Sequence, residues 1–382
     1  MQKKRPSSPT LKSLLKNTSL SSIIALLLFA IYQLVGDLSP LSLPTEASSK
    51  IAYSQPATLH SSSDTLKLYS NQTQDDLKAL YLSAIQNAKE SITFSIYSLV
   101  NQEVIHALNQ KVEAGIPVHI VCDAKASIGI SRKLPKATIV KRLSQGLMHQ
   151  KILIVDQKQI LLGSANMTTE SLRTHGNLVF NMQHPALAQA LTEKAKSMDE
   201  EGNTSKLMHC QARIGNQDLE LWVLPDDPDA VKRMIQLFQS AKKTIKVAMF
   251  TWTRADFTQE LIAASKRGVR VEAVIDRYSG KGTSAKVVRM LNEAGIPVRL
   301  STGQGLLHHK FAYIDDAILV NGSANWTQSA FKANDDCFIV LNSLLPEQKT
   351  KMNQLWQAIQ KQSEKVALAT KKGSKRTKKV NS

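Results

Sequence analysis

Two histidines, two lysines and two asparagines recur in this chain at one spacing. His149-x-Lys151 is followed by Asp156 and then Gly163-Ser164-x-Asn166; His308-x-Lys310 is followed by Asp315 and then Gly322-Ser323-x-Asn325. Each copy fixes six residue types over eighteen positions. Any one type fills roughly one position in twenty, so composition alone does not produce two such copies in register. An imidazole can act as nucleophile, acid or base near neutral pH. Lysines add positive charge, and amides add hydrogen-bond donors without charge. Such a set neutralises an anionic centre, delivers a nucleophile and protonates a leaving oxygen, which is what cleavage of a phosphodiester requires. The acidic and thiol partners of a zinc site are missing beside the two histidines, so the set reads as working without metal or cofactor.

The elements that must position these residues follow from their neighbours. Ile152-Leu153-Ile154-Val155 is an apolar strand leading from the His and Lys to Asp156; 157–159 form a turn, and Ile160-Leu161-Leu162 returns to Gly163-Ser164. A hairpin brings the two ends together, and the i, i+2 spacing sets His149 and Lys151 on one face. His149, Lys151, Ser164 and Asn166 therefore converge at one rim, as do His308, Lys310, Ser323 and Asn325. Asp156 and Asp315 fall at the opposite, turn end and read as structural. Ser164 and Ser323 offer hydroxyls either to the substrate oxygens or to the backbone.

The duplication reaches far upstream. At a shift of 153, Leu66-Lys67-Leu68-Tyr69 falls on Leu219-Glu220-Leu221-Trp222, and Val121-Cys122-Asp123 on Val274-Ile275-Asp276. By the histidines the shift is 159, which puts six extra residues in the second half, around Ser279-Gly280-Lys281-Gly282, where the composition suggests a loop. Short β-branched runs alternate with helical periodicity such as Phe257, Leu261 and Ala264, which indicates an α/β fold of two copies of one unit. The expected division is 1–50, a basic and apolar leader with the start of a linker; 51–215, lobe 1; 216–360, lobe 2; and 361–382, a basic tail.

A net charge of +18 would ordinarily suggest nucleic acid. Five of these charges precede residue 37 and six follow residue 370, which leaves +7 for the body. Ile23 to Val35 is almost wholly apolar behind a basic stretch, and reads as a retained anchor or a cleaved signal with the body carried across the membrane. Asn166-Met-Thr and Asn325-Trp-Thr are formal glycosylation sequons inside the motifs, so export implies a bacterial source. The tail reads as unstructured, able to bind an anionic lipid surface or nucleic acid. Cys122 and Cys337 lie in strand-like runs and read as core. Met167 and Trp326, Tyr97 and Phe250, and Trp252 could line a vestibule for acyl chains, stack on bases, or fill the core.

The paired motifs, together with this spacing, resemble the phospholipase D superfamily over roughly residues 64 to 345. The resemblance implies two mixed α/β sandwich lobes forming one pseudo-dimeric unit with a single site at their interface. It also implies that one histidine forms a covalent phosphohistidine while the other serves as acid and base, with Lys151, Lys310, Asn166 and Asn325 on the phosphoryl oxygens. Family members often carry a carboxylate eleven residues after the motif Asn, bonded to the histidine of the opposite lobe. Here that place holds Asn177 in the first copy and Asp336 in the second. Crossed pairing would buttress His149 with Asp336 and leave His308 a neutral amide, which favours His149 as nucleophile. Expected substrates are a phospholipid or another phosphodiester, hydrolysed or transferred at a membrane surface. A nuclease acting on DNA or RNA is the alternative, and a catalytically spent binding protein is disfavoured by two intact motifs. No obligate protein partner is evident.

Overall fold

The computed structural model describes residues 58–61, 66–143, 145–207 and 209–366. The leader with its apolar segment lies outside these residues, as does the expected basic tail 361–382 from 367 on; its first residues instead end the helix Pro346–Lys361 and form the strand Ser363–Lys365, which pairs in the second lobe's sheet. In chain order the first eight strands are β1 (Thr58–Ser61), β2 (Lys67–Tyr69), β3 (Ile92–Ile96), β4 (Val118–Asp123), β5 (Thr138–Arg142), β6 (Lys151–Val155), β7 (Gln159–Gly163) and β8 (Val179–Gln183). The next nine are β9 (Cys210–Ile214), β10 (Gln217–Leu224), β11 (Thr244–Met249), β12 (Arg270–Ile275), β13 (Val298–Ser301), β14 (Lys310–Ile314), β15 (Ile318–Gly322), β16 (Asp336–Leu341) and β17 (Ser363–Lys365). One sheet runs β2-β8-β7-β6-β3-β4-β5; the other runs β1-β9-β10-β16-β15-β14-β11-β12-β13-β17. β1 and β9 fall within the sequence range of the first lobe but join the sheet of the second.

Both sheets are covered on both faces, which is why their strands are nearly continuous apolar runs. Along β6, Ile152 and Ile154 face the second sheet, in a core shared with Leu221, Phe311, Leu319 and Ile339, while Leu153 and Val155 face the first lobe's own helices. The second sheet does the same: Ala312 and Ile314 pack on Phe257, Leu261 and Ala264 of the helix Ala255–Lys266. The result is two mixed α/β sandwich lobes packed sheet to sheet, with the helices Pro185–Lys196 and Pro346–Lys361 also contributing to the core between them and the helix Ala255–Lys266 on the outer face.

The six-residue insertion is helical where the sequence suggested a loop. Arg277–Lys281 forms a short helix, because the Asp276 carboxylate caps the N–H groups of Tyr278 and Ser279. Gly280 packs closely on Leu300, whose Cδ2 would lie 2.4 Å from an added Cβ. Cys122, Cys210 and Cys337 are all buried. Among the described residues no helix is long and apolar enough to cross a membrane.

Candidate active site

Each motif folds into the expected hairpin, β6–β7 and β14–β15. The turns put Asp156 and Gln157 at φ 54° and 47°, and Asp315 and Asp316 at 53° and 52°. Each left-handed pair sits in a three-residue loop, closed by Lys158 N donating to Val155 O and Ala317 N to Ile314 O, and Asp tolerates this conformation well. The Asp156 carboxylate accepts from the N–H groups of Lys89, Glu90 and Ser91, and Asp315 accepts from those of Lys242, Lys243 and Thr244. Both aspartates thus tie the hairpin to the turn before β3 or β11, at the end away from the histidines. The motif glycines have an equally local cause. A Cβ on Gly163 would lie 2.2 Å from Leu178 O, and one on Gly322 2.2 Å from Cys337 O.

At the other end the two halves cross over. Short parallel bridges join Met148 to Asp335 and Gly176 to Leu307, and His149 N donates to Asp335 O at 2.8 Å. This brings Asp336 of the second half to His149 of the first, with Nδ1 2.8 Å from Oδ1, and Asn177 of the first to His308 of the second, with Nδ1 3.0 Å from Oδ1. The Asn177 amide has one orientation, because its Nδ2 donates to the carbonyls of Ser171 and His175. Its Oδ1 therefore faces His308 and accepts from an Nδ1–H. Each histidine keeps Nε2 for the site. The serines sit behind the histidines and not at the substrate oxygens: Ser164 Oγ donates to Asn177 Oδ1 at 2.8 Å and Ser323 Oγ to Asp336 Oδ1 at 2.6 Å.

Lys151 and Lys310 are buried, each donating to the carbonyl of the histidine two residues before it, at 2.6 and 2.8 Å. Their ammonium groups stand 5.0 Å from the ring centroids of Tyr97 and Phe250, whose edges also contact His149 and His308. Of the proposed vestibule, only Tyr97 and Phe250 therefore border the site. Met167, Trp252 and Trp326 are core residues whose backbones hold the loops carrying Asn166 and Asn325. Those two asparagines remain partly exposed just past β7 and β15. Next to Asn325 a cleft of about 500 Å³ opens, with Lys125, Leu143 and Leu147 on its walls.

Burial lowers the Lys151 pKa to about 7. It also lowers Lys310, helped by the nearby charge of Lys151. His308 falls well below the usual imidazole range through burial and then the charges of Lys310 and Lys151. His149 is lowered by burial too, but there Asp336 opposes the shift. Burial pushes Asp336 up, yet the charge and hydrogen bond of His149 outweigh it and hold the carboxyl below its ordinary range. An anion binds best to the protonated lysines, so affinity for sulfate should be greatest below pH 7. It should weaken as pH rises through the Lys151 pKa, by up to about tenfold per pH unit for one linked proton. Calorimetric titration with sulfate, whose charge is constant over this range, checks the sign; an affinity flat from pH 6 to 9 would contradict it.

Sequence reasoning missed several residues here. Asp123 and Asp276 accept from Met148 N and Leu307 N, fixing the approach to each histidine. Only their repeat at the strand ends hinted at this. His175 places a third imidazole 6.2 Å from His308, ring centre to ring centre, where the other half has Asn334 bonded to Asp336. The adjacent His309 turns away to Gln72.

A family model described as "Cardiolipin synthase, PLD-like domain" matches residues 81–198 and again 234–361. The chain belongs to the phospholipase D superfamily. Among relatives, a protein of Chlamydomonas reinhardtii named mitochondrial cardiolipin hydrolase is 32% identical over 131 residues, covering 34% of this chain and 58% of that one. One of Rickettsia prowazekii named phospholipase D is 32% identical over 110 residues, covering 29% and 53%. The chain thus spans little more than half the length of each. The solved phosphatidylserine synthase of Haemophilus influenzae superposes with a TM-score of 0.61 at 13% identity, over 79% of this superfamily member and 87% of that chain, and so shares its fold.

Proposed function

We propose that the protein is a phosphodiesterase acting on phospholipids through a covalent phosphohistidine, without metal. The observation that carries this reading is the unequal pair of histidines: both keep Nε2 for the site, but only His149 is backed by a carboxylate. The Nε2 lone pair of His149 attacks phosphorus. The bond to the leaving alcohol breaks, and that oxygen takes the proton from Nε2 of protonated His308. Asp336 stabilises the positive imidazole that results. His308, now neutral with Nδ1–H on Asn177, accepts a proton from water or an acceptor alcohol, which attacks phosphorus and releases His149. The lysines, Asn166 and Asn325 meet the phosphoryl oxygens. The anionic diester offsets the positive charge that keeps His308 neutral in the free site.

The lipid class draws on the relatives named cardiolipin hydrolase and phospholipase D. An anchor in the apolar segment 23–35 would hold the body at a membrane, on its far side. The test is an assay of the purified protein, in excess chelator, on mixed phospholipid vesicles and on single- and double-stranded nucleic acid. We expect phosphatidic acid or a transferred phosphatidyl group. Activity lost on chelation and restored by a metal would refute the mechanism. Cleavage of nucleic acid alone would establish the nuclease alternative.

A further inference from the structure

Among the described residues five large apolar side chains are exposed: Val100, Ile128, Leu143, Leu147 and Tyr278, with Ile128 at 74% and Leu143 and Tyr278 at 62%. They are scattered in sequence but share one place in the fold. Val100 follows β3, Ile128 follows β4, Leu143 and Leu147 follow β5, and Tyr278 follows β12. β3, β4 and β5 are parallel, and Lys151 pairs with Ile96 at the end of β3, so these loops form the rim of the catalytic site. The Ile128 loop is joined to the site wall: Ser127 Oγ donates to Tyr97 O, and Ser98 Oγ donates to Ala126 O. Leu143 and Leu147 line the cleft that contains Asn325. The fold does not demand this surface, since the repeat puts Thr253 and Thr302 where the first lobe has Val100 and Leu143. Single exposed apolar residues are ordinary, but a set confined to the mouth of one site marks an interaction surface.

The charge around it selects the partner. No Asp or Glu occurs between Asp123 and Asp156. Lys125, Arg132, Lys133 and Lys141 are exposed in that stretch, against exposed Glu200 and Glu201 alongside. Apolar tips ringed by cations match a membrane surface of anionic lipid, into which the tips insert while the cations meet headgroups. We propose that the rim loops after β3, β4 and β5 dock the protein on an anionic lipid surface, with the catalytic mouth facing the bilayer. This rests on the lipid reading above and adds the surface through which substrate enters.

The test compares the full chain with its Val100→Ser/Ile128→Ser variant, neither residue lining the cleft beside Asn325, on phosphatidylglycerol/phosphatidylcholine vesicles, by sedimentation and by lipid turnover. A nitrophenyl phosphodiester serves as the soluble control. Both proteins carry the same leader and tail, so any difference reports the rim. The expected result is vesicle affinity and vesicle-lipid turnover each lowered on the order of tenfold, with the soluble diester hydrolysed as before. Lys133→Gln/Lys141→Gln should weaken binding severalfold, and less at high salt. Unchanged vesicle binding in both variants would overturn the proposal. So would an altered oligomeric state in the serine variant with unchanged binding, because the patch would then join copies of the chain. If the parent binds vesicles through the rim but cleaves no lipid, the docking surface stands and the substrate assignment fails.

Discussion

Replacing His149 with Asn should abolish the covalent intermediate and lower turnover by at least on the order of 10⁴, whereas His308→Asn should still become phosphorylated when the leaving group is good. The reason lies in the unequal partners. Nitrophenolate leaves with little protonation, so loss of the acid at His308 costs the first step little, but nothing replaces the nucleophile at position 149. With a nitrophenyl phosphodiester, His308→Asn should give a burst of nitrophenol and then stall, because no base activates the incoming water. Peptide mapping should place the phosphate on His149. Asp336→Asn converts the first histidine's partner to the amide that His308 already has. It should slow phosphorylation by roughly 10² to 10⁴, more than Asn177→Ala does. Label recovered on His308 in a His149→Asn background would reverse the two roles.

The parts of this site that the sequence made legible are local. Spacing within one hairpin is enough to place His149, Lys151 and Asn166 at a rim and Asp156 at the far turn, because strand periodicity and turn geometry act over a few residues. The duplication then supplies the second set. Other features depend on chain segments far apart in sequence. Nothing near Arg142 announces that it meets Asp335, 193 residues away. Nor does local pattern show that Cys210–Ile214 joins the second sheet. Trp252, Trp326 and Met167 are apolar beside catalytic residues, so sequence alone favoured core over vestibule only narrowly. The outcome turned on the bridges that bury them. The insertion at 277–281 became helical through a cap supplied by Asp276, a residue that the repeat had marked only as the end of a strand.

The Arg142–Asp335 pair should prove the most costly contact to break at the junction of the two halves. Both side chains are almost fully buried, and the guanidinium meets the carboxylate bidentately, Nε to Oδ2 at 2.6 Å and Nη2 to Oδ1 at 3.1 Å. Its other N–H groups donate to the carbonyls of Asp199, Gly202 and Asn203, so all five donors are satisfied. Arg142→Met strands a buried carboxylate and three carbonyls at once, a loss of about 3–5 kcal/mol. The melting temperature should fall on the order of 10 °C. Activity should fall as well, because Asp335 O accepts from His149 N and Asp336 is the next residue in the chain. The repeat has Ser301 and Gly176 in the corresponding places, so the charge is not a requirement of the fold. Removing both charges together should therefore cost less than removing Arg142 alone: Arg142→Met/Asp335→Ala should melt above Arg142→Met, since no unpaired charge remains. Thermal denaturation of the parent, both single variants and the double variant closes the cycle. If the double variant melts below Arg142→Met by the full loss seen for Asp335→Ala, the two residues act independently and the pair is not what holds the junction.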